Sequence, residues 1–289
     1  MSDDADALLA VRDLVVEYPG TGWRRAPHRV LHGVSLHIGQ GETLGLVGES
    51  GSGKTTLGRA ILGLVTPTSG TISYGGEDIT TLDRARRRHL APEIQVIFQD
   101  PYSSLNPSLK VEEILAEPLR AVGVRPVEAS NRVRALLDRV GLPADASRRL
   151  PREFSGGQRQ RIAIARALAL DPKVIVCDEP VSALDLSTQA RVLDLLVEIQ
   201  EQTGVAYLII SHDLSVVRCI SHRVAVMYRG SIVELGDAGQ VIENPQHPYT
   251  QRLLLAAPVS DPVAQRERRE ARRQLKASGA FFDVEVHAP

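Results

Sequence analysis

Between residues 8 and 38 the apolar positions fall in short, β-branched pieces, "LLAVRDLVVEY" and "VLHGVSLHI", divided by a Gly-, Pro- and Arg-rich stretch at 19–29. That pattern predicts antiparallel strands with one long connection. The segment "ETLGLVG" (42–48) is a strand running straight into a glycine-rich loop. "TTLGRAILGLV" then continues as a helix with Leu57, Ile61 and Leu64 on one face. Further on, residues 111–122 and 129–140 carry helical periodicity, the second through Val133, Leu136, Leu137 and Val140, with Gly141 and Pro143 as its stop. These helices predict a small helical subdomain at about 101–154.

After it the pattern alternates. "RIAIARALAL" is a helix closed by Asp171 and Pro172, and "KVIVCDE" is a continuous apolar run of strand length. Such a run suits a parallel strand covered on both faces. The helix "STQARVLDLLVEIQEQTG" and the strand "VAYLIISHD" repeat the alternation, which predicts an α/β core with right-handed crossovers. "RVAVMYRGSIVELGD" closes it as a hairpin. Beyond Gly236 the periodicity thins, and "QRERREARRQLK" (265–276) mixes charges without an apolar stripe, as a solvated tail does.

Composition narrows the class. The 289 residues are 43% hydrophobic and 24% charged, ordinary for globular protein and enough for one sizeable core with an appendage. With 34 basic and 35 acidic residues the net charge is -1, so nothing marks an overall surface for nucleic acid or an anionic membrane. Cys177 and Cys219 have no metal or redox spacing and read as buried thiols of a reducing compartment. No apolar run approaches the roughly eighteen residues of a membrane span. The acidic start "MSDDADALLAVRD" lacks the pattern of a secretory signal, so the chain is expected to stay on the side where it is made.

Candidate chemistry begins at "GESGSGKTT", Gly48, Glu49, Ser50, Gly51, Ser52, Gly53, Lys54, Thr55 and Thr56. In Gly48-x-x-x-x-Gly53-Lys54-Thr55 the glycines let successive N–H groups point at phosphate oxygens. Lys54 neutralises the β and γ phosphates, and the Thr55 hydroxyl is a ligand for Mg²⁺. The helix that follows presents its positive end to the same anion. A flexible glycine turn is the plain alternative, but strand and helix flank the loop in the order a phosphate site needs. The motif does not distinguish ATP from GTP.

Two carboxylates end the run "VIVCDEP", and burying like charges is costly unless a cation shares the site. Asp178 would orient a hydrated Mg²⁺, and Glu179 would face the attacking water as general base. Outside such a site, the same pair is simply a strand end in a solvated loop. In "FSGGQRQR" (154–161), Ser155 and Gln158 stand at capping-box spacing, and Gly156 and Gly157 leave the first helical N–H groups unobstructed. Taken alone, that is a well-capped helix.

These motifs occur together and in one order: the phosphate loop, Gln99 in "VIFQDP", "FSGGQ", "VIVCDEP", "SALD" (182–185) and "SHD" around His212. Over nearly its whole length the sequence resembles ATP-binding cassette (ABC) transporter ATPases. The resemblance implies a P-loop NTPase cassette at 8–235, with an antiparallel β subdomain and the helical subdomain, followed by a short C-terminal extension at 236–289. It implies a head-to-tail pair of cassettes, in which Ser155, Gly156, Gly157 and Gln158 of one chain cover the γ-phosphate on the loop of the other. It places Tyr18 against adenine, Gln99 on Mg²⁺ or the water, and His212 on the γ-phosphate. The usual first residue of the "FSGGQ" motif is Leu, and here it is Phe154. "FQDPYSSLNP" (98–107) and "NPQHPYTQRLLLAAP" (244–258) resemble the oligopeptide and dipeptide importer branch. Some of its members carry an iron–sulfur cluster on C-terminal cysteines; this chain has no cysteine after Cys219, so no cluster is expected.

The leading expectation is therefore an ATPase subunit, peripheral on the cytoplasmic face of the membrane, that drives uptake of peptides or similar solutes. Its partners would be a second cassette, identical or related, two permease subunits, and indirectly an extracytoplasmic solute-binding protein. No nucleic acid is expected. A soluble cassette ATPase serving another machine, such as a carbon–phosphorus lyase complex, is the competing class. A GTP switch would need a guanine-reading motif such as N-K-x-D, which the sequence lacks.

Overall fold

The computed structural model describes residues 7–20 and 26–256. They form two compact units, one from described residues within 7–37, 43–80 and 211–256, the other from 38–42 and 81–210. The Arg-rich stretch at 265–276 and the last two residues of "HPYTQRLLLAAP" lie outside the described residues.

Strands β1 (Leu9–Tyr18) and β2 (His28–Ile38) flank the long connection anticipated from sequence. With β4 (Ser69–Tyr74) and β5 (Glu77–Asp78) they form a sheet of order β2-β1-β4-β5. β1 pairs antiparallel with β4, Leu9 opposite Tyr74 and Val11 opposite Ile72, and the register shifts between Arg12 and Val15. Between them in sequence come β3 (Thr43–Val47), buried along its whole length, and α1 (Lys54–Ile61). Leu57 and Ile61 of α1 are buried as expected, but Leu64 is 63% exposed. The helix stops first: Leu62 is its C-cap, and Gly63 turns the chain left-handed at φ 67°. The apolar stripe thus ends one turn before Leu64.

The second unit contains α2 (Arg84–Leu90), β6 (Ile94–Ile97), α3 (Pro101–Ser104), α4 (Val111–Ala121) and α5 (Pro126–Arg139). Two 3-10 turns, Ala144–Arg148 and Pro151–Glu153, lead to α6 (Gly156–Leu168). Then follow β7 (Val174–Asp178), α7 (Leu186–Thr203) and β8 (Ala206–Ser211). β6, β7 and β8 run parallel, with Ile97 opposite Cys177 and Cys177 opposite Ile209. The apolar runs of β7 and β8 belong to strands covered on both faces, whereas β6 carries Gln95 and is half-buried at its middle. Val133, Leu136 and Leu137 of α5 are buried, as their spacing requires.

The chain returns to the first unit with α8 (Leu214–Ile220), β9 (Arg223–Tyr228) and β10 (Ser231–Asp237). β9 pairs parallel with β3 and antiparallel with β10, which completes the expected hairpin. Helices α9 (Ala238–Glu243) and α10 (Pro248–Ala256) follow. Their short apolar faces escape a periodicity search, yet Ala238, Val241 and Tyr249 join Val47, Leu214, Val217, Val224 and Val226 in one buried cluster. Leu253 and Leu254 pack against the same cluster. Of the two cysteines, Cys177 is buried, and burial pushes its thiol well above the usual range. Cys219 is exposed, contrary to expectation, because it follows Arg218 on the solvent side of α8 while Val216, Val217 and Ile220 face inward.

Candidate functional site

The phosphate loop joins β3 to α1 in the first unit. Its close fit explains its glycines at two positions. At Gly48 a Cβ would stand 2.2 Å from the Met227 carbonyl oxygen, and φ is 156°. At Gly53 φ is 107°, and a Cβ would crowd Leu31, Met227 and the Val30 carbonyl. Gly53 is also the N-cap of α1, so the first helical turn opens directly onto the loop. Lys54 is only 6% exposed. Its ammonium donates to the carbonyls of Gly48 (2.6 Å) and Glu49 (2.8 Å) and to Ser52 Oγ (3.4 Å). Oxygens of the loop itself thus hold the cation at the loop. Glu49, Ser50 and Gly51 are exposed at the crest, Ser52 is buried, and Thr55 and Thr56 are half-buried in the first turn of α1.

In the second unit β7 delivers Asp178 and Glu179, both half-buried. The burial is less complete than the apolar run before them implies, because the strand ends at Asp178. Glu179 has φ 48°, a left-handed conformation costing a non-glycine residue roughly 1–2 kcal/mol. The turn is tied down on three sides. Glu179 N–H donates to the Ile210 carbonyl at 2.9 Å, and its carbonyl accepts from Ser182 N–H at 3.3 Å and Ser182 Oγ at 3.2 Å. Its carboxylate accepts from Gln99 Nε2 at 2.8 Å. Gln99 lies 80 residues upstream, just past β6, so the parallel pairing of β6 and β7 brings the two side chains together.

The "FSGGQ" stretch starts α6. Ser155 Oγ accepts from Gln158 N–H at 3.3 Å, and Gln158 Oε1 accepts from Ser155 N–H at 3.0 Å, the reciprocal cap anticipated from spacing. Its two glycines differ. A Cβ at Gly157 would stand 2.2 Å from Thr188 Cγ2, whereas one at Gly156 would meet Leu184 at 3.4 Å and the Tyr102 hydroxyl at 4.0 Å, ordinary contacts. Packing against α7 therefore accounts for Gly157 and not for Gly156. Phe154 is 4% exposed, with the Arg149 guanidinium 4.3 Å above its ring. The larger apolar residue at this position is enclosed on its own unit.

Asp185 of "SALD" caps α7. Its carboxylate accepts from Ser187 Oγ (2.7 Å), Thr188 N–H (3.0 Å) and Thr188 Oγ1 (2.8 Å). The Ser187 and Thr188 hydroxyls, then the Thr188 amide, hold its pKa down to about 2. Tyr18 ends β1 half-buried, and His212 is exposed between Ser211 and Asp213. Asp213 caps α8 through Ser215 N–H at 2.8 Å. One contact escapes motif reading altogether: Glu49 N–H, in the phosphate loop, donates to the hydroxyl of Tyr249 at 3.1 Å.

Two family profiles match the chain. One, described as "ABC transporter", covers residues 31–182. The other, "Oligopeptide/dipeptide transporter, C-terminal region", covers 233–282. Among curated relatives, the glutathione import ATP-binding protein GsiA of Escherichia coli K12 is 52% identical over 271 residues, 92% of this chain and 44% of the relative. The oligopeptide transport ATP-binding protein OppD of Mycobacterium tuberculosis H37Rv is 53% identical over 265 residues, 90% of this chain and 43% of the relative. The chain thus spans less than half the length of these relatives. Among solved structures, cbiO1 of Clostridium perfringens, part of the ABC transporter complex cbiONQ, has TM-score 0.74 at 29% identity, covering 83% of this chain and 92% of its own. The ATP-binding cassette MJ0796, a dimer in a post-hydrolysis state with ADP and Pi, has TM-score 0.71 at 28% identity, covering 80% and 98%.

Proposed function

This chain belongs to the ABC transporter family, whose profile matches it over residues 31–182, and from that premise we propose that it is the ATP-hydrolysing subunit of an importer for peptides or similar solutes. The observation that carries the importer reading is the match of residues 233–282 to the oligopeptide and dipeptide transporter C-terminal region, beside relatives named for glutathione and oligopeptide transport. The carbon–phosphorus lyase reading has no comparable support.

In this proposal Lys54 and the loop amides bind the β and γ phosphates, and Tyr18 stacks on adenine. Glu179 takes the proton of the attacking water, and Gln99 holds its carboxylate through Oε2. His212 contacts the γ-phosphate. Ser155, Gly156, Gly157 and Gln158 serve the loop of a second cassette, a reading supported by the dimeric state of the similar cassette MJ0796. Thr55, Gln99 and Asp178 are hard oxygen donors of the kind Mg²⁺ takes. No group of three or more His, Cys, Asp or Glu that could hold a metal ion occurs among the described residues. Bound there, Mg²⁺ would supply charge neutralisation on the phosphates. No helix of the described residues is long and apolar enough to cross a membrane. The proposed subunit is peripheral, at the cytoplasmic face, and works with permease partners.

Purification of the tagged chain from membranes of its source cell, with identification of what accompanies it, tests the proposal. Two integral permeases and a second cassette are expected. Recovery with soluble partners alone would contradict the importer reading.

A further inference from the structure

We infer that Tyr249 is a positioning residue for the phosphate loop, so that the C-terminal extension sets the geometry of nucleotide binding. The inference rests on the reading of residues 48–56 as the phosphate loop. Its physical basis lies within one unit.

Tyr249 opens α10 and is 2% exposed. Its hydroxyl accepts the Glu49 amide at 3.1 Å, across 200 residues of sequence. That amide belongs to the peptide after Gly48, where the chain leaves β3, so the phenol holds the loop at the point where the strand ends. The side chain reaching it is itself rigid. The Tyr249 ring lies against Tyr228 with centroids 4.2 Å apart, and it belongs to the cluster containing Val47, the last residue of β3.

The backbone beneath is fixed as well. The Glu234 carboxylate accepts Gln246 N–H at 2.8 Å and His247 N–H at 3.1 Å, and His247 Nδ1 accepts Tyr249 N–H at 3.2 Å. The segment "QHPYT" is thereby clamped to β10, and its tyrosine is aimed at the loop. Burial, the largest influence on the Tyr249 phenol, raises its pKa, so it stays neutral in the physiological range. Lys54 completes the arrangement from the other side, since its ammonium takes the carbonyls of Gly48 and Glu49 while Tyr249 takes the Glu49 amide. Both polar groups of the Glu49 backbone thus have assigned partners, and its carbonyl also accepts the Ser52 amide at 3.2 Å.

Tyr249→Phe deletes only the oxygen. In the full-length chain, hydrogen exchange of the Glu49 amide without nucleotide should rise about fivefold or more, the effect of losing one hydrogen bond, while core-strand amides keep their protection. With MgATP, KM should rise about threefold to tenfold with kcat within about twofold. Val241→Ala, which loosens the same cluster and leaves the hydroxyl in place, should change neither the Glu49 amide nor KM to that degree. An unchanged KM in Tyr249→Phe, whatever the exchange, would overturn the positioning role, as would an equal effect of Val241→Ala. If the wild-type chain binds no ATP, the phosphate-loop reading fails on its own, and the exchange arm still reports whether the hydroxyl holds Glu49.

Discussion

The side-chain amide of Gln99 donates to Glu179 Oε2 at 2.8 Å, joining the end of β6 to the end of β7 within one unit. A carboxylate at the end of a strand has rotamer freedom, and this bond removes some of it. Gln99→Ala should therefore leave ATP binding nearly intact and lower kcat about tenfold or more, the scale of a hydrogen bond to a charged group. Steady-state kinetics decide it: a rise in KM at constant kcat would place Gln99 in binding rather than in orientation of Glu179.

Lys54→Ala should weaken ATP binding about tenfold to a hundredfold, because a buried ammonium held on loop carbonyls is lost where phosphate charge has to be met. Mixed with a Ser155→Arg chain, it should regain activity that neither variant has alone, since a mixed pair of this chain contains one unaltered composite site. Titrating one variant into the other at fixed total protein, with phosphate release as readout, tests the arrangement in trans. Activity that stays at the sum of the two variants, with both folded, would contradict self-pairing through Ser155.

Truncation after Leu235 removes Ala238, Val241 and Tyr249 from the cluster that also holds Val47 and Val226. Loss of one large buried side chain costs about 3 kcal/mol or more, so the shortened chain should melt well below the full chain and lose ATP binding with its fold. Truncation after Ala256 leaves the cluster whole and should keep the melting temperature. Thermal unfolding of the two fragments checks both expectations.

Acid should find the cap of α7. Asp185 is held down to about 2 by the hydroxyls of Ser187 and Thr188 and by the Thr188 amide. Its folded pKa lies below the ordinary 3.8, so its contribution to stability is fully present above pH 3.8 and is lost as pH falls through about 2. Asp185→Ala should lower the melting temperature at neutral pH and flatten the stability profile below pH 3.8. A profile parallel to that of the wild type through this range would reject the cap as the source.

The α/β order was legible because buried parallel strands announce themselves as unbroken apolar runs, as in "VIVCD" and "AYLIIS", and because the phosphate loop needs strand and helix on either side. Ser155 and Gln158 were legible as a cap because a capping box is a local device. What escaped was tertiary. Nothing local shows that Leu64 lies past the end of α1, or that Cys219 faces solvent on a helix this short. The pairing of Gln99 with Glu179 depends on β6 lying beside β7. Tyr249 reads locally as part of a proline turn, and its contact with Glu49 spans 200 residues of sequence. The left-handed turn at Glu179 has no signal in its residue type, since glycine or asparagine would be the residues to suggest it.

In the proposed mechanism Glu179 is the base of an ATP hydrolysis reaction whose substrate is bound by the loop at Gly48–Thr56. Glu179→Gln keeps the size of the side chain and a carbonyl oxygen while removing the basic carboxylate. Measured side by side, MgATP affinity by titration and turnover by phosphate release should separate: affinity within about threefold of wild type, and kcat lower by about a hundredfold to ten-thousandfold. Turnover within a few-fold of wild type at unchanged affinity would contradict the assignment of Glu179 and the mechanism built on it.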